Sequence, residues 1–365
     1  ELNGMMSIGA SMAVCEKRER ILEYIGEVKP TVLFAVPQIW NRIYAGVQAN
    51  VAEKPKIIQS IFHAGLRSRS KQKRGQSRSL GEIVALFLAK LLIFGKVKQR
   101  FGGNLQFACS GAAALSPDVA EFVDNLGIDV YEGYGMTETS GIAVCNQPHA
   151  RRIGTVGKPL PGVEIKLDHT APGGDADNGE IIVYGTGVML GYHNHPEDTA
   201  KVMTPDGGLR TGDLGRLDAD GFLVVTGRVK ELYKLQNGKY VAPAPLEEKL
   251  TLSPFIAQAM LHGADKPYNV AIIVPNLQNA QKWAEENGLD ATSPTAVLSS
   301  PKIREIIAAE LDKYSSDWKS YERVKKFMLA DEEFTTANDM LTPTLKVKRR
   351  NVIKKYGADL DKLYA

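Results

Sequence analysis

Two short apolar strands, each followed by a turn of small residues, constrain the fold of this chain more than any other feature. Strands are predicted over residues 105–109 and 129–132, and the turns over 110–115 and 131–140 follow them. Strands that alternate with helices form parallel sheets, and ligands bind beyond the carboxyl ends of such strands. The sequence therefore predicts an α/β domain with a ligand site at these two turns.

The segments around these strands fit the same α/β layers. A charged amphipathic helix is predicted over 15–28, a buried strand over 31–36, and a helix that carries Trp40 over 38–51. Ser116-Pro117 predicts a further helix, with serine as the N-cap and proline at the first helical position.

The pattern changes after residue 154. Short strands predicted over 163–167, 179–184 and 222–226, with a hairpin turn at 218–221, indicate an antiparallel sheet or a small barrel.

It changes again after residue 227. Helices are predicted over 247–250, 280–287 and 301–314, and strands over 257–262, 269–274 and 325–329. We therefore expect a large α/β domain over 1–227, with a β-rich subdomain at about 154–227, and a smaller, mobile α+β domain over 228–365.

Composition narrows the class of protein. Hydrophobic residues make up 44% of the 365 and charged residues 24%, which is ordinary for a globular protein, and a net charge of +3 does not favour nucleic acid. Three cysteines without metal-ligand spacing suit a reducing compartment, and no apolar run reaches the 18 residues of a membrane span. An intracellular protein, cytoplasmic or peripheral on an organelle membrane, is expected. Because Glu1 begins in what reads as mid-domain sequence, we also expect a large domain truncated at its N-terminus.

One basic segment and one apolar segment lie side by side. Residues 67–78 hold six Lys or Arg among Ser, Gln and Gly, and predict a solvated or mobile loop; residues 83–94 predict a buried helix. A plain core helix beside a surface loop is one interpretation. Peripheral contact with an anionic membrane surface is the other.

The turn at 131–140 has the residue types of a nucleotide site. Glycine allows close backbone approach, and the Tyr134 ring offers a face for a flat heterocycle. Thr137 is a hydrogen-bond partner for a phosphate oxygen, and Glu138 is a hard oxygen ligand for Mg²⁺. An ordinary polar turn after a strand is the alternative.

Three further sites carry charged residues whose function depends on position. Asp213, after a tight glycine turn at 209–213, suits two ribose hydroxyls, or is a surface Asx turn. Arg228 and Lys230 lie at the inferred domain boundary. Arg228 suits hydrogen bonds to sugar or phosphate oxygens and Lys230 suits a hinge, or both belong to a charged linker. Lys346 lies in a basic loop and suits neutralisation of a phosphoryl oxygen, unless the loop is a charged tail. The sequence has no Walker A, dinucleotide-fingerprint, nucleophile-elbow or zinc-type spacing.

Four motifs in order point to a family. They are Tyr-Gly-Met-Thr-Glu at 134–138, Arg-Thr-Gly-Asp at 210–213, Gly-Arg-x-Lys-Glu at 227–231 and Pro-Thr-x-Lys at 343–346. The series resembles the AMP-forming acyl-CoA synthetases of the adenylate-forming superfamily, over essentially the whole chain. Residues 234–243 look like the long-chain fatty-acid branch.

The resemblance implies a nucleotide pocket in the large domain. Tyr134 would stack on adenine beside Gly135, in a pocket lined by Gly111, Ala112 and Ala113. Thr137 would contact the α-phosphate, Glu138 would hold Mg²⁺, and Asp213 and Arg228 would bind the ribose.

It also implies mobile parts and a substrate gate. Lys230 would be the hinge, and Lys234 would lie near the phosphate or the hinge network. Lys346 would enter the site for adenylation and leave for thioester formation. Trp40 matches an aromatic residue that gates the acyl tunnel.

The reaction so implied uses ATP, Mg²⁺ and CoA to activate a long-chain fatty acid through acyl-AMP. Two features depart from the family pattern: the phosphate loop and the preceding His-containing motif are absent from these residues, and Leu345 replaces a common glycine. We therefore expect this chain alone to be weak or inactive. A non-catalytic adenylate- or acyl-binding protein and a ligase for a carrier protein or another acid are the alternatives.

Overall fold

The structure is a computed structural model that describes residues 7–16, 20–342 and 345–365. The chain folds into two compact units, Glu1–Tyr134 with Cys145–Gly157 and Gly135–Val144 with Lys158–Ala365.

A parallel sheet forms the centre of the first unit. Three of the five strands of this sheet pair in parallel, in the order β1-β2-β3: β1 (Val32–Ala35), β2 (Phe107–Ser110) and β3 (Val130–Met136). Ser110 pairs with Ala35 on one side and with Glu132 on the other, so the three strands are aligned near the carboxyl end of β2. The predicted parallel α/β layer is confirmed.

Among the described residues of the first unit, six helices accompany these strands. They are α1 (Ile21–Val28), α2 (Pro37–Ala52), α3 (Lys56–Lys73), α4 (Leu80–Ala89), α5 (Gly95–Arg100) and α6 (Pro117–Asn125). Trp40 and Phe62 are fully buried, and the Phe62 ring meets the edge of Phe122 at 6.2 Å between centroids. Phe122 also meets Tyr44 of α2, at 4.8 Å between ring centroids, so aromatic side chains join α2, α3 and α6 into one core.

The basic segment was predicted wrongly as a loop. Helix α3 extends through it to Lys73, because Gly65 and Ser68 are buried on its inner face while the long cationic side chains reach solvent. Only a short turn separates α3 from α4. It ends at a capping box in which Ser79 and Glu82 exchange hydrogen bonds, a signal that the sequence contains.

The predicted buried helix at 83–94 is also corrected. Helix α4 begins at Leu80 and runs through a π-helical turn, Lys90–Phe94, into α5. One face of α4 packs against α3, but the other face is exposed, since the described residues offer it no cover. Upstream, the helix predicted from Cys15 starts only at Ile21, and residues 17–19 of that prediction lie outside the described residues.

An antiparallel sheet begins the second unit. After the strands β4 (Gly141–Cys145) and β5 (Lys158–Pro159), four strands pair in the order β6-β7-β8-β9, and α7 (Pro196–Val202) lies between β7 and β8. The four are β6 (Val163–Asp168), β7 (Gly179–Gly185), β8 (Leu209–Leu217) and β9 (Leu223–Arg228).

Strand β8 corrects the predicted tight turn at 209–213. The sequence there is extended, and Gly212 at φ +71° lies where the register with β7 shifts, so the glycine forms a bulge inside a strand. The hairpin turn at 218–221 is confirmed by the hydrogen bond from the Gly221 N–H to the Asp218 carbonyl.

The C-terminal part of the second unit is an α/β sandwich around another, three-stranded sheet. Strand β12 (Ile256–His262) pairs antiparallel with β13 (Asn269–Pro275), which pairs parallel with β14 (Val324–Leu329). Before them come a 3₁₀ turn (Val229–Glu231) and a small hairpin, β10 (Tyr233–Lys234) with β11 (Tyr240–Val241). Its helices are α8 (Pro243–Leu250), α9 (Leu277–Glu286), α10 (Pro294–Ser299), α11 (Pro301–Tyr314) and α12 (Arg349–Lys362).

Strand β13 is buried on both faces. Ala271 and Ile273 face a core with α8 to α11, whereas Val270, Ile272 and Val274 face a core that includes α12. Helix α12, which was not predicted from the sequence, is therefore needed to cover the sheet.

Candidate functional site

The turn after β2 presents small residues at the end of the parallel sheet. Ala112 and Ala113 are exposed, and Ala112 has a left-handed backbone at φ +70°. An ideal Cβ on Gly111 would lie 3.5 Å from the Gly133 carbonyl oxygen, an ordinary contact. Backbone and methyl groups thus form a shallow surface beside the end of β3.

A buried carboxyl group fixes this turn to β3. The Glu132 side chain accepts hydrogen bonds from the backbone N–H groups of Leu115, at 3.4 Å, and of Gly154. Burial raises the pKa of Glu132 to about 7, although Arg151 and the backbone donors oppose that shift. Sequence reasoning missed this support; the signal was a single acidic residue in a buried strand.

The expected loop at 131–140 is shorter than predicted. Strand β3 runs to Met136, so Tyr134 and Gly135 are strand residues, and only Thr137–Thr139 form a 3₁₀ turn. A Cβ on Gly135 would lie 1.9 Å from the Gly141 carbonyl oxygen. Glycine is therefore required at 135 by the backbone that returns past it.

Thr139 holds the 3₁₀ turn together from inside. Its buried Oγ1 accepts from the Met136 N–H at 2.9 Å and donates to the Gly141 carbonyl at 2.7 Å. Thr137, by contrast, is exposed, which leaves its hydroxyl accessible to a ligand.

Glu138 is anchored by a loop 50 residues downstream. Its carbonyl accepts from the Met189 N–H at 2.8 Å, and its Oε1 accepts from the Tyr192 hydroxyl at 2.9 Å. This hydrogen bond raises the pKa of the Tyr192 phenol. Tyr192 is a positioning residue that sequence reasoning did not find, because nothing local links it to Glu138.

Glu138 could hold a divalent cation only with help from other ligands. Within the described residues no group of three His, Cys, Asp or Glu side chains converges on a point. One carboxylate is nevertheless the usual protein share of a Mg²⁺ site that is completed by phosphate oxygens and water. The residues present fit Mg²⁺ that arrives with a nucleotide.

Asp213 and Arg228 lie opposite each other on β8 and β9. Their backbone positions are registered partners, and Arg228 Nε donates to Asp213 Oδ1 at 2.6 Å. Asp213 is buried, whereas the Arg228 side chain is about half exposed. The guanidinium thus holds the carboxylate in one orientation.

Lys346 is exposed and held by its backbone. Its N–H donates to Thr342 Oγ1 at 3.0 Å, and its carbonyl accepts from the Thr342 N–H at 2.8 Å. Pro343 and Thr344 of the same motif lie outside the described residues. The ammonium forms no ion pair with a described residue. Leu345 before it has φ +63°, a left-handed conformation that explains why glycine suits that position.

The remaining predicted residues have varied surroundings. Lys230 in the 3₁₀ turn is exposed and lines a cavity of about 390 Å³ with Tyr233, among others. Lys234 Nζ lies 5.6 Å from the centroid of the Tyr240 ring. Trp40 is fully buried in α2, and its indole N–H has no partner among the described residues. Gly111, Ala112, Ala113 and Tyr134 belong to the first unit, and Gly135, Thr137, Glu138, Asp213, Arg228 and Lys346 to the second.

A parallel α/β unit, an antiparallel sheet and a smaller C-terminal α/β module together constitute the adenylate-forming fold. The AMP-binding enzyme family matches residues 1–193, and the AMP-binding enzyme C-terminal domain matches residues 231–365. The chain belongs to the AMP-binding enzyme family.

Similar proteins are fatty-acid ligases. A long-chain-fatty-acid–CoA ligase, FadD15, of Mycobacterium bovis is 34% identical over 350 residues, 95% of this chain and 56% of that protein. The peroxisomal long chain acyl-CoA synthetase 7 of Arabidopsis thaliana is 32% identical over 356 residues, 95% of this chain and 50% of that protein. The chain therefore spans little more than half the length of these curated relatives.

Solved structures of carboxylate reductases share the fold. The adenylation domain from Mycobacterium chelonae is 25% identical with a TM-score of 0.69, over 96% of this chain and 49% of that one. The A domain from Segniliparus rugosus, solved with AMP and a co-purified carboxylic acid, is 24% identical with a TM-score of 0.72, over 100% of this chain and 52% of that one.

Proposed function

We propose that this chain is the AMP-binding part of a long-chain fatty acid–CoA ligase. Likeness to ligases of that name along 95% of the chain carries the proposal. In the reaction, a fatty acid carboxylate oxygen bonds to the α-phosphorus of ATP and pyrophosphate leaves. The CoA thiolate then attacks the acyl carbon of acyl-AMP, and AMP leaves.

The residues of the large domain would bind the nucleotide. The Tyr134 ring would stack on adenine above the surface of Gly111, Ala112 and Ala113, and the exposed hydroxyl of Thr137 would donate to an α-phosphate oxygen.

Charged residues would bind the metal and the ribose. Glu138, oriented by Tyr192, would be the protein ligand of Mg²⁺, which when bound neutralises phosphate charge. Asp213 would accept the ribose hydroxyls in the orientation that Arg228 imposes.

Two lysines would separate the half-reactions. Lys346, whose ammonium forms no ion pair with a described residue, would donate to the developing charge on the α-phosphate. Lys230 lies in a 3₁₀ turn between β9 and β10, where a change in a few backbone angles would reorient the C-terminal module.

Trp40 remains a prediction for the acyl gate; its buried position in α2 suits a tunnel wall as well as an ordinary core.

The acceptor is the part of the proposal with a specific competitor. The adenylation-domain neighbours favour a carrier protein as acceptor, since one such structure is an A-PCP didomain, at 25% identity. The higher identity to CoA ligases makes CoA the first choice. Three cysteines without metal-ligand spacing suit an intracellular location, cytoplasmic or peripheral on an organelle membrane. No helix among the described residues is long and apolar enough to cross a bilayer.

The test is pyrophosphate release by the complete gene product with ATP, Mg²⁺ and palmitate. Lys346→Ala should lower the adenylation rate about a hundredfold or more. It should leave thioester formation from prepared palmitoyl-AMP nearly unchanged. Lys354→Ala, which removes an exposed lysine of α12, is the matched control.

Three results decide the proposal. Release of pyrophosphate with transfer of the acyl group to a carrier protein but not to CoA would overturn the choice of acceptor. Binding of AMP or palmitoyl-AMP without any pyrophosphate release would replace the ligase with a non-catalytic binding protein. Equal losses in Lys346→Ala and Lys354→Ala would remove Lys346 from the mechanism.

A further inference from the structure

Helix α4 carries an unpartnered apolar stripe on its outer face. The stripe consists of Leu80, Ile83, Val84 and Phe87 of α4 and Leu91 of the π-helical turn that follows. Their positions are i, i+3, i+4, i+7 and i+11, so that all five lie on one side of the helix. Leu80 is 82% exposed, and Phe87 and Leu91 are each 66% exposed. Single exposed apolar residues are common, but a continuous row of five indicates a binding surface.

The inner face of the same helix fixes which residues form the stripe. Leu86 and Ala89 are buried against α3, where a Cβ on Gly65 would lie 2.4 Å from the Ala89 Cβ. Phe94 is buried against Phe62, with ring centroids 6.0 Å apart. Because α3 and α4 interlock so closely, α4 cannot rotate to hide the stripe.

The hairpin of α3 and α4 is attached rigidly to the first unit. Lys73 Nζ lies 2.6 Å from Asp124 Oδ2, and Arg74 lies 2.7 Å from Glu121, both on α6. Asp124 is buried and also accepts from Arg151 at 2.7 Å. The stripe is therefore displayed by a fixed scaffold.

The segment that carries the stripe is rich in positive charge. Residues 67–100 contain ten Lys or Arg and one Glu, a formal charge of +9, whereas the whole chain carries +3 and the rest therefore −6. Such an excess attracts an anionic partner and weakens with salt.

The ion pairs distinguish the cations that face the rest of the first unit from those that do not. Lys71, Lys73 and Arg74 each have a carboxylate partner within the first unit. Lys90, one residue before Leu91, and Lys96, five residues after it, are exposed and form no ion pair with a described residue. Cations without carboxylates beside exposed Phe and Leu match a lipid surface with anionic headgroups better than a protein partner.

We propose that the apolar stripe of α4 docks on an anionic lipid bilayer, with Phe87 and Leu91 inserted among the acyl chains and Lys90 and Lys96 at the headgroup phosphates. The helix lies on the surface and does not cross it, since no described helix is long and apolar enough to do so. The inference goes beyond the proposed ligase activity and does not depend on it.

The experiment is co-sedimentation of the 365-residue chain with two kinds of vesicle, pure phosphatidylcholine and phosphatidylcholine mixed with phosphatidylglycerol. The chain should bind the anionic vesicles, and less at high salt. Phe87→Glu with Leu91→Glu should lower the partition coefficient at least about tenfold, because two apolar side chains are lost from the acyl region. The matched control is Leu190→Glu, which changes a leucine of the second unit that is fully exposed, at 103%.

Since both stripe residues are exposed, the variant should keep the far-ultraviolet spectrum and melting temperature of the parent chain. A second readout, Phe87→Trp, should show a blue shift with anionic vesicles and quenching by brominated lipids. Equal binding by wild type and the double variant would overturn the proposal. So would a complete gene product that binds no vesicles, or a dimer of the 365-residue chain that the double variant dissociates; these results would assign the stripe to the rest of the protein or to a second copy.

Discussion

Replacing Glu132 with glutamine should stabilise the first unit at alkaline pH. The carboxyl group is buried, and its acceptor oxygens serve the backbone N–H groups of Leu115 and Gly154. Glutamine keeps the shape and one acceptor oxygen but cannot ionise. The variant therefore separates the cost of the buried charge from the benefit of the hydrogen bonds.

The magnitude follows from the pKa of Glu132, which burial raises from 4.5 to about 7. At about 1.4 kcal/mol per pKa unit, ionising this carboxyl in the folded protein costs about 3 kcal/mol more than in the unfolded chain. The folded state holds the proton more tightly, so its stabilising contribution is complete below pH 4.5 and is lost as pH rises through 7. Glu132→Gln should match wild type at pH 4 and exceed its free energy of unfolding by about 3 kcal/mol at pH 8.

Hydrogen exchange measures the effect of Glu132→Gln on stability within the first unit itself. Peptides from β2 and β3, corrected for intrinsic exchange rates, report the opening free energy of the first unit separately from the second. Glu27→Gln, an exposed carboxyl on α1, is the control and should leave the pH dependence as in wild type. If Glu132→Gln is less stable by the same amount at both pH values, the native carboxylate is charged and needed, and the reasoning fails.

Two other predictions concern the turn that carries Glu138. Tyr192→Phe removes a hydrogen bond worth about 1 kcal/mol and should raise the Mg²⁺ concentration for half-maximal pyrophosphate release by the complete gene product about fivefold. Tyr184→Phe, which loses a hydrogen bond elsewhere on the surface, should not raise that concentration, and an equal effect of both variants would exclude Tyr192 as a positioning residue. Gly135→Ala should destabilise the protein by about 1–3 kcal/mol in thermal melts, because its methyl group would strike backbone. Gly46→Ala, in a helix with nothing within 4 Å, should stabilise by about 0.5–1 kcal/mol, and a Gly135→Ala protein as stable as wild type would contradict the close approach.

The fold was predictable where each strand or helix has a pattern of its own. The strand at 269–274 reads as continuous apolar sequence because it is covered on both faces, and it is found within one residue of its predicted end. The loop prediction for 67–78 was wrong because the helix there depends on Gly65 and Ser68. These small residues favour a helix only through the close approach of α4. The terminal helix α12 was missed because only part of one face is apolar.

The site was predictable as residue types and only partly as geometry. The Asp213 and Arg228 motifs are 15 residues apart, and their ion pair arises from the strand register of a sheet whose strand β8 was not predicted. The hydrogen bond between Tyr192 and Glu138 spans 54 positions and needs the whole β-rich segment to form. The supporting role of Glu132 could not be predicted from the sequence, because that role depends on the burial of the side chain and not on its residue type.

Because of the π-helical turn at Lys90–Phe94, the number of residues in this helix decides which side chains face solvent as much as their identity does. Phe94 lies seven residues after Phe87, a spacing that in an unbroken α-helix would put both rings on one side, yet Phe94 is buried and Phe87 exposed. The turn accommodates one surplus residue, so a single-codon deletion there would rotate everything beyond it by about 100°. Phe94 would swing towards solvent and the downstream lysines would change face. Relatives that differ here by one residue should thus differ in which face of the helix they expose, even where each amino acid is retained.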